Sequence, residues 1–340
     1  MPGIRVLFLL CLIWGMLSQS ALSDERPRLL VLTDIGGDPD DQQSLVRLMV
    51  YSNEFQIEGL IASASGTPGE LKKAITRVDL IQEIVQAYGQ VRNNLQQHAN
   101  GWPETKALMK GIKSGNPQRG IEHIGQGHDT EGSNWIIKRV DAGSAERPLC
   151  ITIWGGQTDF AQALWRVRND RGQAGLKEFQ RRFRVYDIAD QDGIATWIQS
   201  EFPDLFYILS KAEPGTDKRN ASFRGMYLGG EESLTSRAWV EKNVLSVSPL
   251  GALYPTKTWT KPNPHSCMKE GDTPSWFFFL PQGHNIATDP TQPGWGGQFY
   301  HAPDGWYRDD KTGSKSRETV SQWRPEFQQD FAHRMSWTRD

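Results

Sequence analysis

Short apolar runs that alternate with amphipathic segments are the feature that most limits how this 340-residue chain can fold. The first run covers residues 29–32, and after it Leu45, Leu48 and Met49 recur at the spacing of one helix face. Strands that alternate with helices are typical of an open, mostly parallel sheet with flanking helices. We therefore expect an α/β fold in one domain, residues 24–340, with further strands at residues 57–64, 149–153, 183–188 and 205–209.

Local signals predict two helices and one irregular region. Residues 67–70 have the sequence TPGE, a helix-capping pattern that predicts a helix from Thr67 to about Tyr88. An amphipathic segment at residues 325–337 predicts a helix close to the C-terminus. Residues 255–313 are rich in glycine, proline and aromatic residues, so we expect long ordered loops that cover one end of the sheet.

The first 23 residues have the features of a signal peptide. Arg5 supplies a positive charge, an apolar run extends from Val6 to Leu17, and small residues follow at cleavage spacing. The run is shorter than the roughly 20 residues that a membrane-spanning helix needs, although an uncleaved anchor stays an alternative. We expect export to the periplasm or the cell exterior, without stable membrane insertion.

Composition limits the classes of partner. The chain has 38 basic and 40 acidic side chains and no basic stripe, which argues against nucleic-acid binding. Its 13 tryptophans can fill a core, but their rings also suit a carbohydrate ligand. Export would permit a disulfide between Cys150 and Cys267, whereas the apolar run around Cys150 favours a buried free thiol. The sequence does not decide between the disulfide and the free thiol. It also leaves open whether the chain forms a homo-oligomer.

Four carboxylates lie within eight residues directly after the first predicted strand. They are Asp34, Asp38, Asp40 and Asp41. In open parallel sheets, ligands bind at the carboxyl ends of the strands. A bound divalent cation would relieve the repulsion among these carboxylates, and oxygen ligands suit Ca²⁺ or Mg²⁺. Helix capping by itself explains one of the four, so the loop predicts a metal site.

This loop resembles that of the nucleoside hydrolases, which carry Asp-x-Asp-x-x-x-Asp-Asp after the first strand. It is more similar still to their exported relatives, a nucleoside-hydrolase-like family sometimes described as cellulose-binding. Each matching segment is a weak signal alone, but their order and their positions at strand ends make the set specific. The matching segments are residues 33–45, 154–159, 190–192, 270–275 and 294–297.

The resemblance implies a Rossmann-like nucleoside-hydrolase core and a bound Ca²⁺. By position, Asp41 matches a calcium ligand, and Asp272 stands where a late aspartate ligand is expected. Trp154 precedes a Gly-Gly turn and would contribute its backbone carbonyl. Asp34 and Asp38 are expected to complete the ligand set.

The resemblance also implies how a small sugar or nucleoside would bind, and a polysaccharide is a further candidate. Asp40 matches the carboxylate that binds a sugar hydroxyl. Gln191 and Asp192 follow a predicted strand and are expected to bind ribose hydroxyls. The candidates for contact with the leaving group are His284, Trp295 and Trp306.

One departure from the family pattern concerns catalysis. When Asp40 and Asp41 are aligned on the family pair, the expected catalytic aspartate falls on Gly36, and Asp38 follows two residues later. We predict that Asp38 or Asp34 activates water, in a metal-dependent hydrolase acting on a glycosidic bond, foremost an N-ribosyl bond. The alternative is an exported carbohydrate-binding protein without turnover. An aspartyl phosphatase is disfavoured because it needs an aspartate at Gly36.

Overall fold

The computed structural model describes residues 26–65, 74–257, 267–310 and 316–339. Within these ranges the chain forms one eight-stranded sheet with the strand order β3-β2-β1-β4-β5-β6-β8-β7. Neighbouring strands are parallel, except that β7 runs antiparallel to β8. The strands are β1 Arg28–Thr33, β2 Gln56–Ala62, β3 Ile112–Ser114, β4 Leu149–Trp154, β5 Phe183–Ile188, β6 Tyr207–Ser210, β7 Tyr300–His301 and β8 Tyr307–Arg308.

Helices connect the strands and cover the sheet. The longest is kinked at Gly172, whose backbone leaves the helical region. The α-helices in the described residues are α1 Asp40–Met49, α2 Val78–Leu95, α3 Thr105–Gly111, α4 Glu131–Asp141, α5 Gln157–Gln180, α6 Ala195–Glu201, α7 Arg237–Val240, α8 Pro249–Ala252, α9 Thr273–Phe277, α10 Glu318–Ser321 and α11 Arg324–Ser336.

The apolar strands divide their side chains between two cores, one on each face of the sheet. Along β1, Leu29 and Val31 pack into the core that contains α1, α2 and α11, and Leu30 and Leu32 pack into the opposite core with α4 and α5. Successive strand residues point to opposite faces, so a strand covered on both faces must be apolar throughout. This explains why all six β1 residues are buried.

The strand order fixes where a ligand can bind. The chain runs from β1 outward to β2 and β3, and then returns to place β4 on the other side of β1. Adjacent strands whose connections lead away in opposite directions leave a crevice at their carboxyl ends, and open α/β sheets bind ligands there. Thr33 at the end of β1 pairs with Trp154 at the end of β4. The acidic loop therefore begins at this crevice.

The expected α/β class with a mostly parallel sheet is confirmed. The apolar runs at 29–32, 149–153 and 183–188 coincide with β1, β4 and β5 to within a residue or two. The runs at 57–64 and 205–209 correspond to β2 and β6, each shifted slightly.

The helix predicted from Thr67 to about Tyr88 is wrong in its extent. Residues 66–73, which carry the capping pattern, lie outside the described residues. Residues 74–77 are not helical, and α2 begins at Val78 and ends at Leu95. The Ile75 carbonyl instead accepts a 2.9 Å hydrogen bond from the Ser65 backbone N–H. This contact pairs Ile75 with the segment after β2, so a tertiary backbone interaction overrides the local helix signal.

The region predicted as loops at residues 255–313 contains more regular structure than expected. Its described part includes α9 and the short strands β7 and β8. Strand β8 extends the main sheet by pairing with β6, and β7 forms the edge. The C-terminal helix predicted at 325–337 is present as α11. Cys150 and Cys267 are both buried free thiols, so the disulfide alternative is wrong.

The predicted signal peptide at residues 1–23 lies outside the described residues. Among the helices that the structure describes, none combines the length and the apolar character needed to cross a bilayer.

A buried polar network ties α1 to the segment before α9. The Arg47 guanidinium pairs with Glu270 at 2.5 Å and donates to the Gln328 side-chain oxygen at 2.5 Å, with both side chains of the ion pair at 0% exposure. Glu270 also accepts a 2.6 Å hydrogen bond from the Tyr254 hydroxyl. A fully buried ion pair needs this density of partners, because water no longer solvates its charges.

Arg47→Met is therefore expected to lower the free energy of unfolding by about 3–5 kcal/mol, since it leaves the Glu270 charge buried and uncompensated. Arg166→Met is the matched control, because Arg166 pairs with Asp129 and Asp170 at the surface, and the loss should stay below about 1 kcal/mol. Urea unfolding measures both. The double variant Arg47→Met with Glu270→Gln should recover part of the lost free energy of unfolding, because it also removes the buried charge. Equal losses in Arg47→Met and Arg166→Met would contradict the role of the network.

Candidate functional site

Three carboxylates from two distant parts of the chain converge at the carboxyl ends of β1 and β4. Asp40 and Asp41 occupy the first turn of α1, and Asp272 directly precedes α9. One carboxylate oxygen of each lies within 4.8 Å of the others. The predicted convergence of Asp41 and Asp272 is therefore present, whereas their role as metal ligands stays a prediction.

Asp272 is the residue of this cluster whose surroundings best fit a cation. The residue is 1% exposed, and neither of its carboxylate oxygens has a hydrogen-bond partner in the described part of the chain. A buried carboxylate without partners is strongly unfavourable. The three carboxylates form an all-oxygen set, which is the kind of set that Ca²⁺ and Mg²⁺ bind. The residues present thus fit a hard divalent cation.

Burial and mutual repulsion raise the pKa values of these carboxyl groups. Burial raises the pKa of Asp34 to about 6, and burial together with the negative charge of Asp38 raises that of Asp40 to about 7. Burial and neighbouring carboxylates also hold the pKa values of Asp41 and Asp272 well above their usual range. Without a cation, the folded cluster therefore keeps protons at pH values above about 4, where an unfolded chain has already released them.

Asp34 belongs to the same acidic region, but an arginine engages it. The Arg119 guanidinium pairs with the Asp34 carboxylate at 2.5 Å, and Arg119 also donates to the Ala64 carbonyl at 3.0 Å. Asp34 is in addition hydrogen-bonded to Asp41. Its oxygens are not part of the three-carboxylate group. Sequence reasoning missed Arg119, because it lies in an irregular loop after β3 with no pattern that links it to β1.

The structure explains why the family aspartate is replaced at Gly36. This glycine has φ +112°, a conformation that side chains other than glycine rarely adopt. A Cβ atom at this position would also lie 2.4 Å from the Ser65 hydroxyl oxygen. The turn therefore excludes any side chain at Gly36, and an acidic function in this loop must come from another position.

A cavity of about 660 Å³ opens next to the acidic cluster. Asp38 and Asp40 line it, together with Phe223, Tyr227 and Lys269. Asp38 is half-buried and acts electrostatically on Asp40 and Asp272. Of the two predicted catalytic aspartates, Asp38 is therefore the one that faces a space large enough for a ligand.

The turn of residues 190–192 is placed beside this cavity, as expected, but its contacts are mixed. Gln191 lines the cavity, and its side-chain amide donates to the Trp154 carbonyl. Asp192 accepts hydrogen bonds from the Thr158 backbone N–H at 2.8 Å and the Thr158 hydroxyl at 2.7 Å. The Asp192 side chain is fully buried, so it anchors the start of α5, and its expected sugar contact stays a prediction.

The aromatic residues expected near a leaving group lie elsewhere. Trp295 is 2% exposed and packs against Phe277 and Phe327 in the core. Trp306 is fully buried and stacks on a tyrosine ring, and His284 pairs with Glu326 at the surface. None of these three lines the cavity. The cavity aromatics, Phe223 and Tyr227, come from a segment without a motif.

Gly271 allows the two parts of the acidic cluster to meet. A Cβ atom at this position would lie 3.0 Å from an Asp40 carboxylate oxygen and 3.2 Å from the Phe223 ring. Only glycine therefore lets the backbone before Asp272 approach α1 this closely without displacement of its neighbours. The preceding Glu270 has φ +41°, a strained value that the contacts with Arg47 hold in place.

The fold and the site together define a nucleoside-hydrolase-like α/β domain. The family described as "Cellulose-binding Sde182, nucleoside hydrolase-like domain" matches residues 28–299, which is most of the chain, and the chain belongs to this family. The resemblance inferred from the sequence is thus confirmed.

A solved structure is similar over nearly the whole chain. It is described as a nucleoside hydrolase-related hypothetical protein from Saccharophagus degradans that is associated with carbohydrate metabolism. The two are 31% identical, with a TM-score of 0.74, over 93% of this chain and 72% of the other. A comparison with curated proteins finds no match.

The raised pKa values predict a pH dependence of stability that calcium removes. The folded pKa values of Asp34 and Asp40, about 6 and about 7, exceed the usual value of 3.8, so the folded chain binds more protons than the unfolded chain between these limits. Stability in chelator should therefore fall as the pH rises from about 4 to about 7, and then level off. Calcium should flatten this decline. Melting temperatures across that range, in chelator and in calcium, test this.

The difference between the melting temperatures in calcium and in chelator reports on the acidic cluster alone. Burial raises the pKa of Asp309 to about 7, but this group contributes equally to both sets of measurements. Parallel curves in calcium and in chelator would contradict the prediction.

Proposed function

We propose that this domain binds Ca²⁺ at Asp40, Asp41 and Asp272 and hydrolyses a glycosidic bond, foremost an N-ribosyl bond, in the adjoining cavity. The observation that carries the proposal is the Asp272 carboxylate, buried without a hydrogen-bond partner among the described residues and within 4.8 Å of two further carboxylates. A structural role would leave this charge uncompensated, whereas a cation compensates it.

The three carboxylates divide between the buried and the open side of the site. Asp41 and Asp272 are buried, whereas Asp40 lines the cavity. Asp40 is therefore placed to contact both the cation and a hydroxyl of a bound sugar. Asp34, held by Arg119, adds negative charge behind the ligands. A bound Ca²⁺ would supply positive charge that orients sugar hydroxyls and favours the ionisation of water.

Glycosidic cleavage passes through a cation-like sugar, so nearby negative charge and a proton acceptor for water both favour it. Asp38 lines the cavity beside Asp40 and is the residue we assign to accept the proton as water attacks the anomeric carbon. The bond to the leaving group breaks, and the leaving group departs with the bonding electron pair. Negative charge on Asp40 stabilises the developing cation.

Sugar binding without turnover is the second candidate, and two observations favour it. Asp34, one of the two predicted catalytic residues, is committed to Arg119. No histidine is among the described residues that line the cavity, so a common type of proton donor for the leaving group is missing there. The family name mentions cellulose, which makes a polysaccharide a ligand to test.

We also propose that the domain acts outside the cytoplasm, because residues 1–23 read as a signal peptide. Sequencing the N-terminus of the protein made by its own host tests this. A mature chain that begins near residue 24 supports export, and a chain that retains residues 1–23 contradicts cleavage.

Asp272→Asn is expected to remove calcium-dependent stabilisation. In the unsubstituted protein, calcium at about 100 times its Kd should add about 2.7 kcal/mol of stability, and the variant should lose most of this. In chelator the variant should be at least as stable as the original, because one buried like charge is gone. Asp309→Asn is the control, a buried carboxylate outside the cluster that should keep the full calcium effect. An unchanged calcium effect in Asp272→Asn would contradict the ligand assignment.

Asp38→Asn should lower kcat for the best substrate by roughly 10²–10⁴-fold while calcium-dependent stabilisation persists. The assay offers nucleosides and cello-oligosaccharides in calcium and in chelator, and it detects the released reducing sugar. Full activity in Asp38→Asn would exclude Asp38 from proton transfer. Calcium-dependent retention of sugars or cellulose without released product would support the binding candidate instead.

A further inference from the structure

The wall of the cavity carries charges of both signs. Asp38 and Asp40 line it, and so do Arg224 and Lys269. Lys269 is 4% exposed, so its ammonium group is largely removed from water although it borders the cavity. It also lies 4.7 Å from the centre of the Tyr227 ring, which fixes its position.

Arg224 and Lys269 form no ion pair within 4.0 Å with any carboxylate in the described ranges. Arg224 donates to the Tyr227 hydroxyl, and its Nε atom is buried without a hydrogen-bond partner in the same ranges. Burial and the positive charge of Arg224 both lower the pKa of Lys269. The two cations are thus close enough to repel each other, and nothing described in the chain pairs with them directly.

The other acidic groups on the wall are already engaged. Asp190 pairs with Lys211 at 2.7 Å, and Glu213 interacts with Tyr300. Asp38 and Asp40 attract Lys269 from beyond ion-pair distance, and in the proposed function they act on water, cation and sugar. A buried charge is normally paired, so two adjacent unpaired cations beside a cavity indicate that a ligand supplies the counter-charge.

We infer that Arg224 and Lys269 form an anion subsite, so that the sugar ligand of this cavity carries a phosphate or a carboxylate group. The ligand identity rests on the proposed sugar site, whereas the anion subsite itself does not. A guanidinium whose Nε donor lacks a hydrogen-bond partner among the described residues, next to an ammonium group, is suited to bind a phosphate or a carboxylate. The sugar hydroxyls would face Asp40, and the anionic group would face Lys269.

Titration of the calcium-loaded protein by calorimetry tests the subsite. The probes are ribose, ribose 5-phosphate, glucose and glucuronate at low ionic strength. We expect each anionic sugar whose group reaches the subsite to bind about tenfold or more tightly than its neutral parent, and this preference should weaken with added salt. If only ribose 5-phosphate binds more tightly than its neutral parent, the subsite accepts a phosphate group. If only glucuronate does so, the subsite accepts a carboxylate group.

Lys269→Met keeps most of the aliphatic contact with Tyr227 and removes the charge, so it should abolish the preference. Lys269→Arg should retain part of it, and Arg224→Gln should reduce it. Lys211→Met is the matched control, because it also lines the cavity but is already paired with Asp190, and it should keep the preference. Unchanged melting in chelator establishes that each variant is folded.

Sodium sulfate, compared with sodium chloride at equal ionic strength, separates the two proposals. Sulfate stabilises folded proteins in general, so the test is the excess shift: the melting temperature should rise more in the original protein and in Lys211→Met than in Lys269→Met. If calcium has no effect while this excess shift is present, the proposed function fails and the anion subsite stands. If calcium and neutral sugars bind, but neither sulfate nor anionic sugars show a preference that depends on Lys269, the inference is wrong and the proposed function stands.

Discussion

Everything at the site depends on one buried helix that carries two of the three clustered carboxylates and holds the segment of the third in place. Helix α1 presents Asp40 and Asp41 in its first turn. One turn further, the Gln43 side-chain oxygen accepts hydrogen bonds from the Lys269 and Glu270 backbone N–H groups, at 2.7 and 3.1 Å. Arg47, another turn on, pairs with Glu270. The helix therefore helps to hold the segment that carries Asp272 at a fixed distance from Asp40 and Asp41.

This arrangement explains how a protein can hold like charges together before a cation arrives. Repulsion among the carboxylates acts to separate α1 from the segment before α9, and the buried contacts of Gln43 and Arg47 oppose it. The strained backbone at Glu270 and the close approach at Gly271 persist because these contacts over-determine the local geometry. A preorganised set of carboxylates would lose less entropy on binding the proposed ion. The stabilising contacts of Gln43 and Arg47 thus lie next to the site, and the mutually repelling carboxylates lie within it.

The apolar runs predicted the sheet, and the resemblance to the family predicted that Asp272 meets the acidic loop after β1. A run such as residues 29–32, which is apolar at every position, indicates a strand that is buried on both faces. Residues that follow such parallel strands lie at the same edge of the sheet. The strands β3, β7 and β8 have two or three residues each, too few to show any period. Arg119, Arg224 and Lys269 were missed because no local sequence pattern links them to the acidic loop, so only the folded chain brings them to the site. The single helix predicted from Thr67 to about Tyr88 is wrong in its described part for a related reason, since Ile75 pairs through its backbone with the segment after β2 and α2 begins only at Val78.

The tryptophans, which suggested a sugar ligand, contribute mainly to the core. Trp154 and Trp276 are fully buried, and none of the tryptophans in the described ranges is classed as exposed. The described surface therefore offers no row of open indole rings for a flat polysaccharide. The aromatic rings that a ligand can reach are Phe223 and Tyr227, inside a cavity of about 660 Å³ with carboxylates and cations on its wall. A pocket of this volume can enclose a small molecule, and the polar side chains of its lining can each contact one polar group of that molecule. The proposed sugar site therefore fits a short, soluble sugar derivative better than an extended polymer, both for the proposed hydrolysis and for the alternative of binding alone.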